Sequence, residues 1–328
     1  RKNIISFEKA NANAFKADWQ QHRPVAPQFL GTKVFEDYPL EELVPYIDWT
    51  PFFITWSLSG KYPAILKDEV VGEAARDLFK DAQAMLKDLI DNKRLKAQGV
   101  VGFWPAAQQN LNDVALFEDE SREQQIARFC FLRQQSAKAH GVPNLSLADY
   151  VAPQDAGTPD YIGGFAVTTG IGADELAKQY QEQNNDYNAL MVKALADRLA
   201  EAFAELMHLR VRTEFWPYAQ DESLSNDDLL DERYQGIRPA PGYPACPEHS
   251  DKVTLFKLLG IDGHINMELT DSYAMHPAAS VSGFYFAHPE SRYFSVGKID
   301  ADQVESIAER KGLSLATIQG LLSPNIVE

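Results

Sequence analysis

Residues 161–172, Tyr-Ile-Gly-Gly-Phe-Ala-Val-Thr-Thr-Gly-Ile-Gly, decide the fold class of this chain. The first nine are rich in β-branched and aromatic residues, which is typical of a strand, and a long helical pattern follows the two closing glycines. A strand, a Gly-x-Gly turn and a helix also occur in dinucleotide-binding folds, whose fingerprint needs another glycine three positions later. Glu175 occupies that position. We therefore interpret the turn as a helix start and not as a nucleotide site.

The other apolar runs favour an antiparallel sheet. Residues 100–103 and 114–117 are predicted to be paired strands, and residues 281–287 and 293–298 are predicted to form a hairpin around His288. Strands of this kind, with clustered helices and no regular alternation of strand and helix, are typical of an α+β fold.

Helices are predicted where apolar residues recur with helical spacing. These segments cover residues 68–89, residues 173–212 with a break near Asn184, residues 253–259, and a final helix over residues 302–311. Ser225 and Ser250 are expected to cap short helices, and Gly260 and Gly312 are expected to end two of them.

The composition is that of an acidic globular protein. The chain has 328 residues, with 31 Lys and Arg against 47 Asp and Glu, which gives a net charge of −16. Because binding to a phosphate backbone depends largely on Lys and Arg, neither nucleic acid nor an anionic membrane is an expected partner. No apolar run approaches the roughly 18–20 residues that span a bilayer. At about 150 residues per domain, the length allows two domains or one large one.

The cysteines provide little for metal chemistry. Cys130 and Cys246 are the only two, which is too few for a disulfide framework or a four-cysteine zinc site and favours a reducing compartment. Cys246 and His249 form a Cys-x-x-His pair, but zinc would need two further ligands at short spacing. We therefore expect no metal site.

An acidic face is predicted on the long helix. Asp197, Glu201 and Glu205 follow one another at four-residue spacing, and His208 stands three residues further on. Like charges at this spacing repel each other. The face is therefore either solvated, or it meets a cation or a hydrogen-bond donor, and in the second case Glu201 is the member that we select.

The densest feature is residues 237–250, Ile-Arg-Pro-Ala-Pro-Gly-Tyr-Pro-Ala-Cys-Pro-Glu-His-Ser. Its prolines fix φ and remove backbone donors, so the segment is expected to be stiff and extended. Arg238 offers a planar fork for a carboxylate, Tyr243 a ring face and a hydroxyl, and Gly242 a backbone without Cβ. With its carbonyls exposed, such a loop suits a small zwitterion. A plain proline-rich connection is the alternative.

Arg-x-x-x-Gly-Tyr at residues 238–243, continued as Pro-Ala-Cys-Pro-Glu-His-Ser-Asp-Lys through Lys252, resembles the AdoMet-binding signature of cobalamin-dependent methionine synthases. The likeness is to their C-terminal activation domain, and residues 46–53, 193–205, 234–236 and 279–286 agree with it. It implies a single large, curved α+β domain over residues 1–328 with a central antiparallel β-sheet flanked by helices. About residues 1–30 would lead in from an upstream cobalamin-binding module. The first methionine is Met85, as expected for part of a longer polypeptide cut at Arg1.

The resemblance implies a reactivation function in the cytoplasm. When the cobalamin of such enzymes oxidises to cob(II)alamin, this domain supplies AdoMet, and flavodoxin or a flavoprotein reductase delivers one electron. Reductive methylation restores methylcobalamin, and homocysteine-to-methionine turnover resumes. Cobalamin would be held by the neighbouring module, zinc only by the distant homocysteine module, and the isolated fragment would lack the main methyl transfer. A freestanding AdoMet-dependent small-molecule methyltransferase is the alternative.

The resemblance also implies eight AdoMet-binding residues, which are Asp48, Glu201, Arg238, Ala240, Gly242, Tyr243, Tyr293 and Phe294. Arg238 would hold the AdoMet carboxylate, Asp48 and Glu201 would be acidic contacts, and Tyr293 with Phe294 would be a hairpin contact. No catalytic residue is expected, because the sulfonium is already an activated methyl donor and the protein needs only to orient it.

Overall fold

The structure, a computed structural model, describes residues 3–327, so the expected cut point at Arg1 lies outside the described residues. The strands are β1 (Gly31–Phe35), β2 (Lys96–Gln109), β3 (Asp113–Phe117), β4 (Gln125–Cys130), β5 (Asp160–Ile171), β6 (Glu268–Leu269), β7 (Met275–His276) and β8 (Ser280–Tyr285). The helices are α1 (Phe7–Ala12), α2 (Thr50–Thr55), α3 (Gly72–Asp91), α4 (Ala173–Glu182), α5 (Asp186–Arg210), α6 (Asn226–Leu230), α7 (Asp251–Leu259), α8 (Ala301–Lys311) and α9 (Leu315–Leu321).

The main sheet is antiparallel throughout and has the order β4-β3-β2-β5-β8. The long strand β2 pairs with β5 along one edge. Its other edge is shared, because β1 pairs with its first half and β3 with its second. The predicted α+β class with an antiparallel sheet flanked by helices is confirmed.

Both faces of the central strands β2, β3 and β5 are buried, which explains why these strands are almost continuously apolar. Val101 and Phe103 of β2 belong with α3 and α5 to one hydrophobic core. Val100 and Trp104, which point to the other face, belong with α7 to a second core.

The long helical pattern behaves as predicted. Gly172 adopts a positive φ of 94° directly before α4, where a Cβ would lie 2.6 Å from the carbonyl oxygen of Arg94. The glycine turn therefore joins β5 to α4. The pattern breaks between α4 and α5, and α5 ends in a π-helical turn, Val211–Phe215.

The prediction of a hairpin over residues 281–298 is wrong. Strand β8 forms, but residues 293–298 are not a strand. The edge of the sheet where the second hairpin strand would pair is occupied by the proline-rich segment. There Ile237 exchanges backbone hydrogen bonds of 2.9 and 3.0 Å with Phe286, and the Pro239 carbonyl accepts a hydrogen bond from the Phe284 N–H.

Three smaller expectations also need correction. Residues 114–116 do pair with β2, but with residues 106–108 and not with residues 100–103. Helix α7 follows Ser250 and ends at Gly260, yet the Ser250 hydroxyl donates to Glu248 and does not cap the helix. Helix α8 ends at Gly312 as predicted, but α9 follows it.

Residues 3–30 pack onto the body of the protein through long-range contacts. The Ile5 N–H donates to the Gln135 carbonyl, and the Trp216 indole donates to the Val25 carbonyl at 2.7 Å. Arg133, fully buried and ion-paired with Asp149, donates to Asn11 of α1. Among residues 3–327, no helix has both the length and the apolar character needed to cross a membrane.

Candidate functional site

A cavity of about 270 Å³ lies where the acidic face of α5 meets Arg238. Residues from four parts of the chain line it, and they are Tyr46, Asp48, Arg198, Glu201, Ala202, Glu205, Leu229, Leu230, Glu232 and Arg238. Three predicted site residues, Asp48, Glu201 and Arg238, are thus brought together. The lining carries four carboxylates and two guanidinium groups, so it is acidic overall.

A larger cavity, of about 750 Å³, lies elsewhere, at the turn between β5 and α4. Asp174, Glu175, His264 and His276 are among its lining residues. None of the eight predicted site residues lines it, and none of its lining residues within the described range 3–327 is an Arg or Lys that could receive a carboxylate. We therefore take the smaller cavity as the candidate site.

Arg238 is positioned by the edge of the sheet. Its neighbours Ile237 and Pro239 are hydrogen-bonded to the β8 segment, and Ile237 is buried in the second core. Because successive side chains of an extended segment point in opposite directions, Arg238 points to the other face, where α5 lies. Pro239 has no N–H, which limits further pairing along this edge.

Arg238 is held tightly by α5. Its Nη2 lies 2.8 Å from Oε2 of Glu205, its Nη1 lies 3.4 Å from Oε1 of the same carboxylate, and Nη1 lies 2.9 Å from Nδ1 of His208. Glu205 and His208 are three residues apart, so they share one face of the helix. The cation that the acidic face meets is therefore an arginine of the same chain, and its closest partner is Glu205 and not Glu201.

Two guanidinium groups lie close to the Tyr234 ring. The Arg212 guanidinium is 4.4 Å and that of Arg238 5.6 Å from the centre of the ring. Glu222 neutralises Arg212 at 2.7 Å. Such contacts between a cation and an aromatic face are most favourable when they are desolvated, and here they fix the plane of the Tyr234 ring beside Arg238.

Tyr293 joins this cluster although its hairpin does not form. Its hydroxyl lies 2.6 Å from that of Tyr234 and accepts the backbone N–H of Arg238 at 3.1 Å. Burial raises the pKa of Tyr293, as it raises the pKa of Tyr234. Phe294, the other predicted contact, packs instead against the hydrophobic clusters around Phe284 and Val296.

Burial and charge fix the protonation of the groups around Arg238. Burial disfavours the charged form of Arg238, but the neighbouring Tyr234 and Glu205 outweigh it and raise its pKa. Burial, together with the charges of Arg212 and Arg238, holds the pKa of His208 well below its ordinary value. Burial likewise raises the pKa of Glu232 at the rim. His208 is thus neutral beside a permanently charged Arg238.

The remaining predicted residues lie in a tight turn after Arg238. The Gly242 N–H donates to the Cys246 carbonyl, and the Ala240 carbonyl accepts from both the Tyr243 N–H and the Cys246 thiol. These bonds correct the expectation that the loop leaves its carbonyls exposed. Gly242 has a φ of 95°, and a Cβ there would lie 2.2 Å from the His249 ring, so packing within the loop already requires this glycine.

Asp48 lines the cavity, whereas Tyr243 is not among its lining residues. Tyr243 is 60% exposed, and burial of its hydroxyl end together with the charge of Glu201 raises its pKa. Asp48 accepts the Thr50 N–H at 3.2 Å with one carboxylate oxygen, which fixes its position at the start of α2.

Sequence reasoning did not assign several residues of the cleft. Arg198 and Ala202 flank Glu201 on α5, and Leu229, Leu230 and Glu232 come from the α6 segment. The helical spacing of Arg198 and Glu201 could have indicated a shared face, and Ser225 had marked a helix start here. No local pattern shows that the α6 segment lines the same cavity as α5, because that arrangement depends on the tertiary fold.

Metal ligation finds no support in the described part of the chain. Across residues 3–327, no group of three or more His, Cys, Asp or Glu side chains is arranged to hold a metal ion. Both cysteines are buried as free thiols, and burial raises the pKa of each.

Comparisons with known proteins show the family of this chain. Residues 39–312 match the family model of the vitamin B12-dependent methionine synthase activation domain. A solved structure, the MetH reactivation domain bound to AdoHcy, is 52% identical, with a TM-score of 0.96 and 99% of each chain covered. This similarity does not favour the freestanding methyltransferase. The chain belongs to the activation-domain family of vitamin B12-dependent methionine synthases, and thus to a module of an enzyme.

Proposed function

We propose that this chain binds AdoMet in the cleft between α5 and Arg238 and presents its methyl group for reactivation of a methionine synthase. One observation carries the proposal: Asp48, Glu201 and Arg238, which are distant in sequence, line one acidic cavity. The 52%-identical reactivation domain that was solved with AdoHcy supports it.

The chemical groups of the cleft fit such a ligand. AdoMet carries a carboxylate, an ammonium and a sulfonium. Arg238 offers a guanidinium fork to the carboxylate, while Asp48, Glu201 and Glu232 provide negative charge for the two cationic groups. Burial and the charge of Glu201 raise the pKa of Tyr243, so this exposed side chain lies near Glu201, and we include its ring among the ligand contacts. The eight residues assigned from the resemblance are part of this proposal.

In this mechanism the protein binds and orients the ligand. AdoMet supplies an activated methyl group, and the cobalamin would be held by a separate module of the same polypeptide. The residues of this chain fix the amino-acid end of AdoMet, so that the methyl group has one direction. We assign no proton-transfer role to any of them. On this proposal the isolated chain does not perform the methyl transfer to homocysteine.

The wider organisation follows the same proposal. Residues 1–328 would form one activation domain, with about residues 1–30 leading in from the cobalamin module. The contacts of Ile5, Asn11 and Val25 with the body of the protein support this arrangement. A flavodoxin or flavoprotein reductase would deliver the electron.

Arg238→Lys tests the site directly. Lysine keeps a positive charge beside Glu205 but cannot make a planar, two-pronged contact with a carboxylate. Since a hydrogen bond to a charged group contributes about 1.5–3 kcal/mol, we expect AdoMet affinity measured by isothermal titration calorimetry to fall about 10- to 100-fold.

Arg94→Lys is the matched control. Arg94 is an exposed guanidinium that pairs with Asp88 and does not line the cleft. We expect wild-type affinity in this variant. An unchanged affinity in a folded Arg238→Lys variant would refute the site, and a wild-type chain that does not bind AdoMet would refute the function.

A further inference from the structure

Two neighbouring residues of α5 restrict which part of Arg238 can receive a ligand. Glu205 takes one N–H from Nη1 and one from Nη2, at 3.4 and 2.8 Å. The second N–H of Nη1 faces Nδ1 of His208 at 2.9 Å, with the Tyr234 hydroxyl at 3.3 Å. Both N–H groups of Nη1 are therefore engaged by the protein.

The hydrogen bond to His208 also fixes the tautomer of its ring. A guanidinium has only donors, so Nδ1 of His208 must be an unprotonated acceptor, and the proton of the neutral ring lies on Nε2. The ring is fully buried, stacks on Tyr285 with centroids 5.3 Å apart, and meets the edge of Tyr234 at 4.7 Å. These contacts prevent the ring from turning away from Arg238.

The remaining donors of Arg238 form one edge of its fork. They are the N–H on Nε and one N–H on Nη2, and neither donates to a group within residues 3–327. These two N–H groups are parallel and suit the two oxygens of a carboxylate. The Arg238 side chain is 18% exposed and lines the cavity, so part of its surface is open to the cleft.

We propose that His208 is a positioning residue, which holds Arg238 as a neutral acceptor on Nη1 so that the Nε–Nη2 edge faces the carboxylate of the ligand. This inference rests on the proposed function and adds a residue to it. Glu205 alone would leave the fork free to pivot about the carboxylate, because its bond to Nη1 is long at 3.4 Å. The second contact, from His208, fixes the rotation.

The test uses AdoMet and its decarboxylated analogue, with affinities measured by isothermal titration calorimetry. His208→Leu keeps the bulk of the side chain but removes the acceptor. We expect this variant to bind AdoMet about tenfold more weakly than the wild type and to bind the decarboxylated analogue with unchanged affinity. His208→Asn places an amide oxygen near the position of Nδ1, and we expect it to restore most of the AdoMet affinity.

A purely structural role for His208 gives a different result. If His208→Leu weakens both compounds equally, or neither, the positioning role is wrong, although wild-type AdoMet binding upholds the proposed function. A wild-type chain that binds neither compound overturns both. Nitrogen-15 NMR of the wild-type chain adds a test that does not require the His208→Leu variant to be stable. The imidazole signals of His208 are assigned as those that disappear in His208→Asn. A proton on Nε2 and none on Nδ1 at pH 7 supports the inference, and any other form overturns it.

Discussion

His288 shows how a single residue couples the first 30 residues to the strand edge beside the site. Its ring contacts Phe15, Trp19 and His22, with the His22 centroid 4.7 Å away, and its Nδ1 accepts the Glu290 N–H at 3.0 Å. Burial, with a smaller contribution from His22, lowers the pKa of His288 to about 4. The folded protein therefore keeps this ring neutral at a pH where the unfolded chain protonates it.

The sign of the pH dependence follows from this shift. Between pH 6.5 and about 4 the unfolded state binds more protons at His288 than the folded state does, so the stability contributed by the neutral ring is complete above pH 6.5 and is lost as the pH falls. His288→Phe removes this dependence. We expect its free energy of unfolding, relative to wild type, to improve by about 1 kcal/mol from pH 7 to 4.5, allowing for solvent around the ring.

Urea denaturation at several pH values measures this difference. Comparing variants is necessary because Asp160, whose pKa burial raises to about 7, changes stability in the opposite direction. His140→Phe is the control, because His140 is exposed. If the His288→Phe and wild-type curves stay parallel across this range, the assignment is wrong.

Residue patterns identified the site only in part. The spacing of Glu201, Glu205 and His208 predicted one face of α5, but it could not distinguish the turn that meets Arg238 from the turn that faces solvent. Glu205 is 7% exposed, whereas Glu201 is exposed at the cleft. That difference depends on how deeply each turn is covered by the segment around residue 238, which is a tertiary property.

At the scale of elements, local signals predicted helices better than strand partners. Helix α8 ends at Gly312, where φ is 65°, a left-handed conformation that glycine adopts readily. The glycine that predicts this end therefore directly follows the helix in the sequence. Strand β8 had an equally clear apolar pattern, but its partner was mispredicted. Both the nearby residues 293–298 and the distant residues 237–239 could extend along its edge, and only the packed fold selects the second.

The start of the short helix α6 is stabilised by a capping box, so a substitution there tests how α6 affects the cleft. The Ser225 hydroxyl accepts the Asp228 N–H at 3.1 Å, and the Asp228 carboxylate accepts the Ser225 N–H in return. Leu229 and Leu230 of this helix line the cleft. Since losing an N-cap costs about 1 kcal/mol, we expect Ser225→Ala to fray α6 and to weaken AdoMet binding two- to fivefold in calorimetric titrations.

Ser314→Ala is the matched control for this prediction. The Ser314 hydroxyl caps α9 by accepting the Thr317 N–H at 3.1 Å, and α9 contributes no residue to the cleft. We expect a similar loss of stability with unchanged affinity. Equal affinities in the two variants would show that α6 does not shape the binding site.

At the scale of the whole molecule, the net charge of −16 is expected to affect ligand binding through its electric field. The cleft itself has four carboxylates against two guanidinium groups. A summed field of this sign attracts cations and weakens as salt screens it. AdoMet has one net positive charge, whereas AdoHcy, which lacks the methyl group on sulfur, has none. The two ligands therefore differ mainly in how they respond to this field.

Ionic strength separates the two contributions to binding. The Debye length falls from about 30 Å at 0.01 M salt to about 10 Å at 0.1 M. We expect AdoMet affinity to drop severalfold over this range, and AdoHcy affinity to change much less. Glu201→Gln should reduce the salt dependence for AdoMet, whereas Asp174→Asn, at the other cavity, should leave it nearly unchanged. Equal salt dependence for both ligands would mean that the acidic cleft recognises shape and hydrogen bonds alone, and that the charge of the surrounding surface has no part in selecting the methyl donor.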